Sequence, residues 1–212
     1  MSHEIRTPMN AIMGLANLTC MEGHLPERVE NNLKKILSSS QYLLSLINDI
    51  LDMSRIENGK MEIMDESFNL RHLLSDLEGM MRSQAESKGI LFTVDLGIIH
   101  SDIQGDPVRF RQVLVNLLSN AIKYAAESGP GIEICLYGND AGCHFTISNQ
   151  MQAENLDLDR IWEPFYVGES SRNQNLSGTG LGLPIVKKIA EQCGYGINCA
   201  AEDGRIKFTV IF

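Results

Sequence analysis

A chain of 212 residues with 43% hydrophobic and 21% charged residues has the makeup of an ordinary globular protein of one or two domains, large enough to bury a core without staples. A net charge of −9 and a pI near 5.0 argue against a nucleic-acid binder, so an anionic ligand must be met by a few locally placed cations. No apolar run reaches the ~20 residues that cross a bilayer, and no signal peptide is evident.

The chain opens on Ser2-His3-Glu4-Ile5-Arg6-Thr7-Pro8. His3 stands so near the start that the expected parent is longer, with a sensor or membrane anchor upstream. An imidazole accepts a phosphoryl group when its other nitrogen is oriented and relieved of its proton. Glu4 is adjacent and suited to that task, and Thr7 lies four residues on, on the same helical face, where its hydroxyl can hold a water.

Ile5, Met9, Ile12 and Ala16 recur at helical spacing, so a helix is expected over 4–21, broken at Gly23-His24-Leu25-Pro26. A longer helix follows over 26–57. Ile36, Ser40, Leu43, Ile47 and Ile50 form one stripe, and Leu37, Leu44 and Leu51 a second. So wide a stripe suits a four-helix bundle made by two chains, with residues 1–64 as a dimerising hairpin. Asn58-Gly59 ends it.

Beyond Phe68 the pattern changes. A helix is expected over 70–88, a strand over 90–96, and a strong helix from Asp106-Pro107 through Lys123. Residues 131–137 and 143–147 read as a hairpin around Gly138-Asn139-Asp140. A helix is expected over 183–193, and residues 197–200 and 206–212 close as a second hairpin around Glu202-Asp203-Gly204. Helices mixed with antiparallel strands give an α/β sandwich over 65–212, not a parallel doubly wound sheet.

Two stretches here carry chemistry. Asn116 and Asn120 are four apart on one face of an apolar helix, where buried amides need polar partners. A hydrated Mg²⁺ with nucleotide phosphates supplies them. Lys123 shares that side as a point charge for phosphate, and Tyr124 offers a ring for the purine. Gly178-Thr179-Gly180-Leu181-Gly182-Leu183 is a glycine loop running into a helix, where backbone amides and the helix dipole favour phosphate. Cys20, Cys135, Cys143, Cys193 and Cys199 form no CxxC pair, offer no zinc spacing, and read as reduced core residues.

These segments together resemble the sensor histidine kinases of two-component systems, of the hybrid type. Ser2 to Ile12 resembles the family's H-box, 109–124 its N-box, Ile161-Trp162-Glu163-Pro164-Phe165-Tyr166 its F-box, and 178–183 its G2 box. The resemblance implies a dimerising phosphotransfer hairpin followed by a Bergerat ATP-binding sandwich. It implies ATP and Mg²⁺ as cofactors, His3 as the phosphorylated residue, Glu4 as base, and Thr7 in dephosphorylation. It puts Mg²⁺ on Asn120 and an aromatic support for the ATP lid at Phe165. The lid would be 167–177, with Arg172 as its one cation. The expected partners are a second copy of the chain and a response-regulator receiver domain. The expected location is the cytoplasmic part of a membrane-anchored sensor.

The pattern departs at the G1 box. The family has Asp-x-Gly-x-Gly where this chain has Asn149-Gln150-Met151-Gln152-Ala153, and Ser177 precedes the G2 box where a glycine is common. The base side is altered while the phosphate side is intact. Two other readings therefore stand beside the kinase. One is a degenerate kinase with weak ATP binding that serves as phosphatase or scaffold. The other is a Bergerat ATPase that phosphorylates no histidine, against which the His3 turn argues.

Overall fold

The structure is a computed structural model that describes residues 2–23, 25–97, 101–126, 129–139, 142–151, 156–168 and 178–212. The side chains of Ser2, His3 and Asn139 lie outside the described set. The chain divides into two compact units, Met1–Lys60 and Met61–Phe212.

The first unit is a helical hairpin of α1 (Ser2–Met21) and α2 (Glu27–Glu57). Helix α1 continues through Pro8, although proline cannot donate the hydrogen bond that position would otherwise make. The Arg6 guanidinium donates to Asn48 Oδ1 at 3.3 Å, tying the two helices. Met9 and Ala16, seven residues apart, are buried, as are Ser40 and Ile56. Much of the rest of the apolar pattern is not: Ile5, Ile12, Leu15, Leu18, Ile36, Leu43 and Ile50 are exposed.

The second unit begins with β1 (Glu66–Asn69), which the sequence pattern did not reveal, and α3 (Leu70–Glu86). Then come β2 (Phe92–Leu96), β3 (Asp102–Gly105) and α4 (Pro107–Tyr124). The remaining elements are β4 (Ile132–Asn139), β5 (Gly142–Gln150), α5 (Gly182–Cys193), β6 (Gly196–Glu202) and β7 (Arg205–Ile211). Strands β1 and β3 pair antiparallel as a small separate sheet. The main sheet runs β2-β4-β5-β7-β6. Its strands are antiparallel except that β2 and β4 are parallel, so the expected all-antiparallel strand set is corrected at one edge. A parallel pair needs a long crossover, and α3 and α4 stand on either side of β2 in the chain. The hairpin turn expected at 138–140 also moves, because Gly138 pairs with Cys143 and Asn139 with Gly142.

Alternation decides which face of the sheet is covered. Phe92, Ile132, Ile134, Leu136, Phe145, Ile147, Phe208 and Val210 all lie on one face and are buried. Against that face stand α3 beside β2, α4 beside β5 and α5 beside β6. Leu114, Leu117, Ile185 and Ile189 fill the layer. The mixed sheet with helices on one face is the α/β sandwich expected.

Two local devices fix the element that matters most for function. The buried Asp106 carboxylate caps α4, accepting from the Val108 and Arg109 amides at 2.9 Å each, while its other oxygen accepts from the Met64 amide at 3.0 Å. A cap of this kind stabilises a helix by ~1 kcal/mol. Phe110 adds an aromatic anchor, with ring centroids 5.9 Å from Phe68, 6.1 Å from Tyr195 and 4.6 Å from Phe212.

The five cysteines are free and all are half-buried, so their expected place in the core is corrected to its margin. The reason is position. Cys193, for example, is the last residue of α5, where the helix leaves the sheet.

Candidate nucleotide site

Three segments of the second unit converge: the C-terminal half of α4, the loop 178–182, and the end of β5. The apolar residues of α4 point at the sheet, which turns Asn116 and Asn120 away from it. A Cβ placed on Gly182 would lie 3.6 Å from Asn116 Oδ1 and 3.8 Å from Asn120 Nδ2. The amide pair of α4 therefore faces the first residue of α5. Both amides are half-buried, and neither makes a hydrogen bond within the described residues.

The loop is shaped for close approach. Gly180 has φ +67°, and a Cβ there would stand 2.7 Å from Phe165 Cα. The Phe165 amide donates to the Gly180 carbonyl at 3.0 Å, and Phe165 itself has φ 64°. Only glycine fits Gly180, and a bulky residue at positive φ carries strain at Phe165. The Thr179 hydroxyl accepts from the Leu181 amide at 3.1 Å. Leu181 is buried and offers no side-chain cap to α5, so the first amides of that helix point into the loop.

Phe165 is otherwise not where packing would put it. Its ring is 63% exposed. Packing in this segment falls to buried Ile161 and to Trp162, whose ring sits edge-on to Phe208 at 6.0 Å. Arg160 steadies the turn, with its guanidinium 4.7 Å over the Tyr166 ring and 3.2 Å from Glu163 Oε2.

Lys123 extends the amide face toward the loop, and its ammonium occupies the space that a side chain on Gly178 would need. It lies 4.8 Å over the Tyr124 ring. Partial burial, and then repulsion from Lys88, lower its pKa to about 8. Burial raises the Tyr124 phenol above its ordinary value. Asn149 stands at the base side, buried, in register with Ile132 on β4 and Ile206 on β7. Its Nδ2 donates to the Gln150 carbonyl at 3.2 Å. The strand then continues: Met151 bridges Ala125, and the Met151 amide donates to the Gly204 carbonyl at 2.9 Å. Asn149 to Met151 is therefore held strand rather than free loop.

Thus Asn116, Asn120, Lys123, Tyr124, Gly178, Thr179, Gly180, Leu181, Gly182 and Leu183 gather around α4 and the start of α5, with Asn149 at the sheet end. Arg172 and Ala153 lie outside the described residues, as does 169–177 of the expected lid. His3, Glu4 and Thr7 belong to the first unit, on one turn of α1, where Glu4 and Thr7 are exposed. Lys88, two residues past the end of α3, lies beside the end of α4, a placement that no local pattern in the sequence records. Among the described residues no group of three or more His, Cys, Asp and Glu side chains could hold a metal ion.

Residues 1–59 match the His Kinase A (phospho-acceptor) domain. Residues 105–212 match the histidine kinase-, DNA gyrase B- and HSP90-like ATPase domain, about half the chain. The chain belongs to the sensor histidine kinases. It carries the core of an ATP-dependent protein-histidine kinase. It is 33% identical over 208 residues to the autoinducer 2 sensor kinase/phosphatase LuxQ of Vibrio cholerae, covering 96% of this kinase chain and 24% of that protein. It is 35% identical over 213 residues to the sensor protein GacS of Pseudomonas syringae, covering 96% of this chain and 23% of the relative. The kinase thus spans about a quarter of the length of these curated relatives. Among solved structures, full-length ShkA in complex with AMPPNP superposes with a TM-score of 0.79 at 28% identity, covering 99% of this chain and 43% of that one. The expected Bergerat fold and ATP-binding class hold. Among the described residues no helix is long and apolar enough to cross a membrane.

Proposed function

We propose that the chain binds ATP with Mg²⁺ between α4 and the glycine loop, and that the γ-phosphoryl group passes from there to His3. A ring nitrogen of His3 attacks the γ-phosphorus, the bond to the bridging oxygen breaks, and ADP leaves. Glu4 receives the proton from the other ring nitrogen. Thr7, one turn on, holds a water for dephosphorylation, in which the water oxygen attacks the phosphorus, the P–N bond breaks, and phosphate and neutral His3 are released. The phosphoryl group then moves to an aspartate of a response-regulator receiver domain, as in a hybrid sensor. Positioning and charge neutralisation supply most of the catalysis.

The observation that carries this reading is the amide pair. Asn116 and Asn120 are half-buried, unpaired within the described residues, and face the loop whose amides receive phosphate. Two amide oxygens fit a Mg²⁺ that keeps most of its ligands as water and phosphate. When bound, the ion neutralises phosphate charge. Asn120 is the assigned ligand, Asn116 its neighbour, and Lys123 the phosphate cation. Phe165 and Arg172 support the nucleotide from the lid side.

The exposed apolar residues of the first unit support a homodimer, because Ile5, Ile12, Ile36, Leu43 and Ile50 have no cover within the hairpin. The natural setting is the cytoplasmic part of a membrane-anchored sensor, with domain limits of 1–64 for the phosphotransfer hairpin and 65–212 for the ATP-binding part.

Asn149 favours a second reading, a kinase with a weakened base site that serves mainly as phosphatase or scaffold. Calorimetric titration with ATP, with and without Mg²⁺, separates the two. Mg²⁺-dependent binding, together with acid-labile and alkali-stable label that disappears in His3→Gln, supports the kinase. Label that persists in His3→Gln, or no binding at all, refutes it.

A further inference from the structure

The loop after α3 brings a second cation to the end of α4. Lys88 Nζ lies 3.5 Å from the carbonyl oxygen of Ile122, the residue before Lys123. The two ammonium groups are close enough that Lys88 disfavours the charge on Lys123. Such a pair is costly unless something anionic sits with it. Neither lysine pairs with a carboxylate among the described residues, in a chain where 27 acidic residues outnumber 18 basic ones.

What stands next to the inner lysine, Lys123, is the glycine loop. Lys123 fills the space beside Gly178, and the Tyr124 hydroxyl would lie 3.6 Å from a Cβ on that glycine. Lys88 is exposed and Lys123 half-buried, so Lys88 is the outer and Lys123 the inner member of a cationic pair whose inner member borders the glycine loop. Two adjacent like charges match a ligand whose own charges are adjacent, which is a polyphosphate chain. A monoanion would neutralise only one of them.

We infer that Lys88 is a further phosphate-binding residue, acting with Lys123 on the polyphosphate chain of the nucleotide. This rests on the nucleotide site proposed above and adds a residue to it. Because Lys88 is exposed, its share is that of a screened charge and not of a buried pair.

The test is calorimetry of the whole chain and of Lys88→Gln with three probes: ATP, adenosine and inorganic tripolyphosphate. The expected result is a roughly two- to fivefold loss of affinity for ATP and for tripolyphosphate, with adenosine unchanged. The salt dependence of both losses should flatten, since one cation fewer takes part. Lys88→Arg should retain affinity. Unchanged ATP affinity in Lys88→Gln, or an equal loss for adenosine, overturns the inference. If Lys88→Gln melts early, the Lys88→Arg and salt data decide, because a packing role has no salt dependence. Tripolyphosphate keeps the two proposals apart. A wild-type chain that binds it through Lys88 but ignores ATP refutes the nucleotide site and keeps the cation pair.

Discussion

The phosphate side and the base side of the site are built on opposite principles. On the proposed phosphate side, three kinds of group lack partners among the described residues: the amides of Asn116 and Asn120, the first amides of α5, and the ammonium of Lys123, which meets no carboxylate. On the base side, Asn149 is buried and already bonded to Gln150, and the residues after it continue in β-bridge and backbone bonds. The first is a set of polar groups without partners among the described residues. The second is a satisfied piece of sheet. Affinity in this kinase should therefore come from phosphate and metal, with the purine adding little.

Four perturbations test that contrast. The largest effect is expected for Asn120→Ala, which removes the proposed metal ligand. A bond to a charged group is worth ~1.5–3 kcal/mol, so ATP affinity in Mg²⁺ should fall about ten- to a hundredfold while the melting temperature holds or rises. Unfolding of this variant would instead make Asn120 a structural residue.

Gly180→Ala comes next. A methyl group 2.7 Å from Phe165 Cα, at φ +67°, strains the loop by ~1–3 kcal/mol. ATP affinity should drop roughly tenfold, with a smaller drop for adenosine. Equal losses for both ligands would mean that the loop also serves the base.

Asn149→Asp should sharpen the contrast from the other side. A carboxylate accepts a hydrogen bond about twice as strongly as a neutral oxygen, so ATP affinity should rise several-fold, or by ~1 kcal/mol. The same change deletes the donation to the Gln150 carbonyl and buries a charge, so the free protein should melt earlier. Calorimetry and thermal melting on one pair of samples read both effects. A variant with unchanged affinity would show that the purine does not touch position 149.

The smallest effect is a pH dependence. Lys123 is half-buried with a pKa lowered to about 8, so it loses its charge as pH rises through that value. ATP affinity should decline a few-fold between pH 7 and pH 9, and Lys123→Met should flatten the decline. Lys123 acts on the stability of the free protein in the other direction. Between about 8 and 10.5 its amine holds more protons in the unfolded chain, so its own contribution rises with pH, while the raised Cys143, Cys193 and Cys199 thiols and Tyr124 and Tyr195 phenols give a contribution that falls; Lys123→Met removes the first and leaves the second.

The phosphate side was legible in the sequence because its signals are local. The four-residue spacing of Asn116 and Asn120 fixes their shared face, and glycines before a helix announce a loop that needs close approach. The proline and glycine between α1 and α2, and the caps of α4, are equally local. What was not legible depends on partners far away in the chain. Strand β1 has four residues and one apolar side chain at its middle, and only its pairing with β3 makes it a strand. The parallel pairing of β2 with β4 is a choice of neighbour that no alternation records. Phe165 reads as core by type, yet its backbone is tied to Gly180 and its ring is left outside. Lys88 reaches the end of α4 only because the turn after α3 lies beside it.

Trp162 is the single tryptophan of the chain. It packs against Phe208 in the turn that precedes Phe165 and the loop-clasping bond to Gly180. Excited near 295 nm, the protein therefore emits from one address, and that address lies a few residues from the bond between Phe165 and Gly180. A change in emission on adding ATP would report the clasp itself, with no label attached and no second indole to subtract.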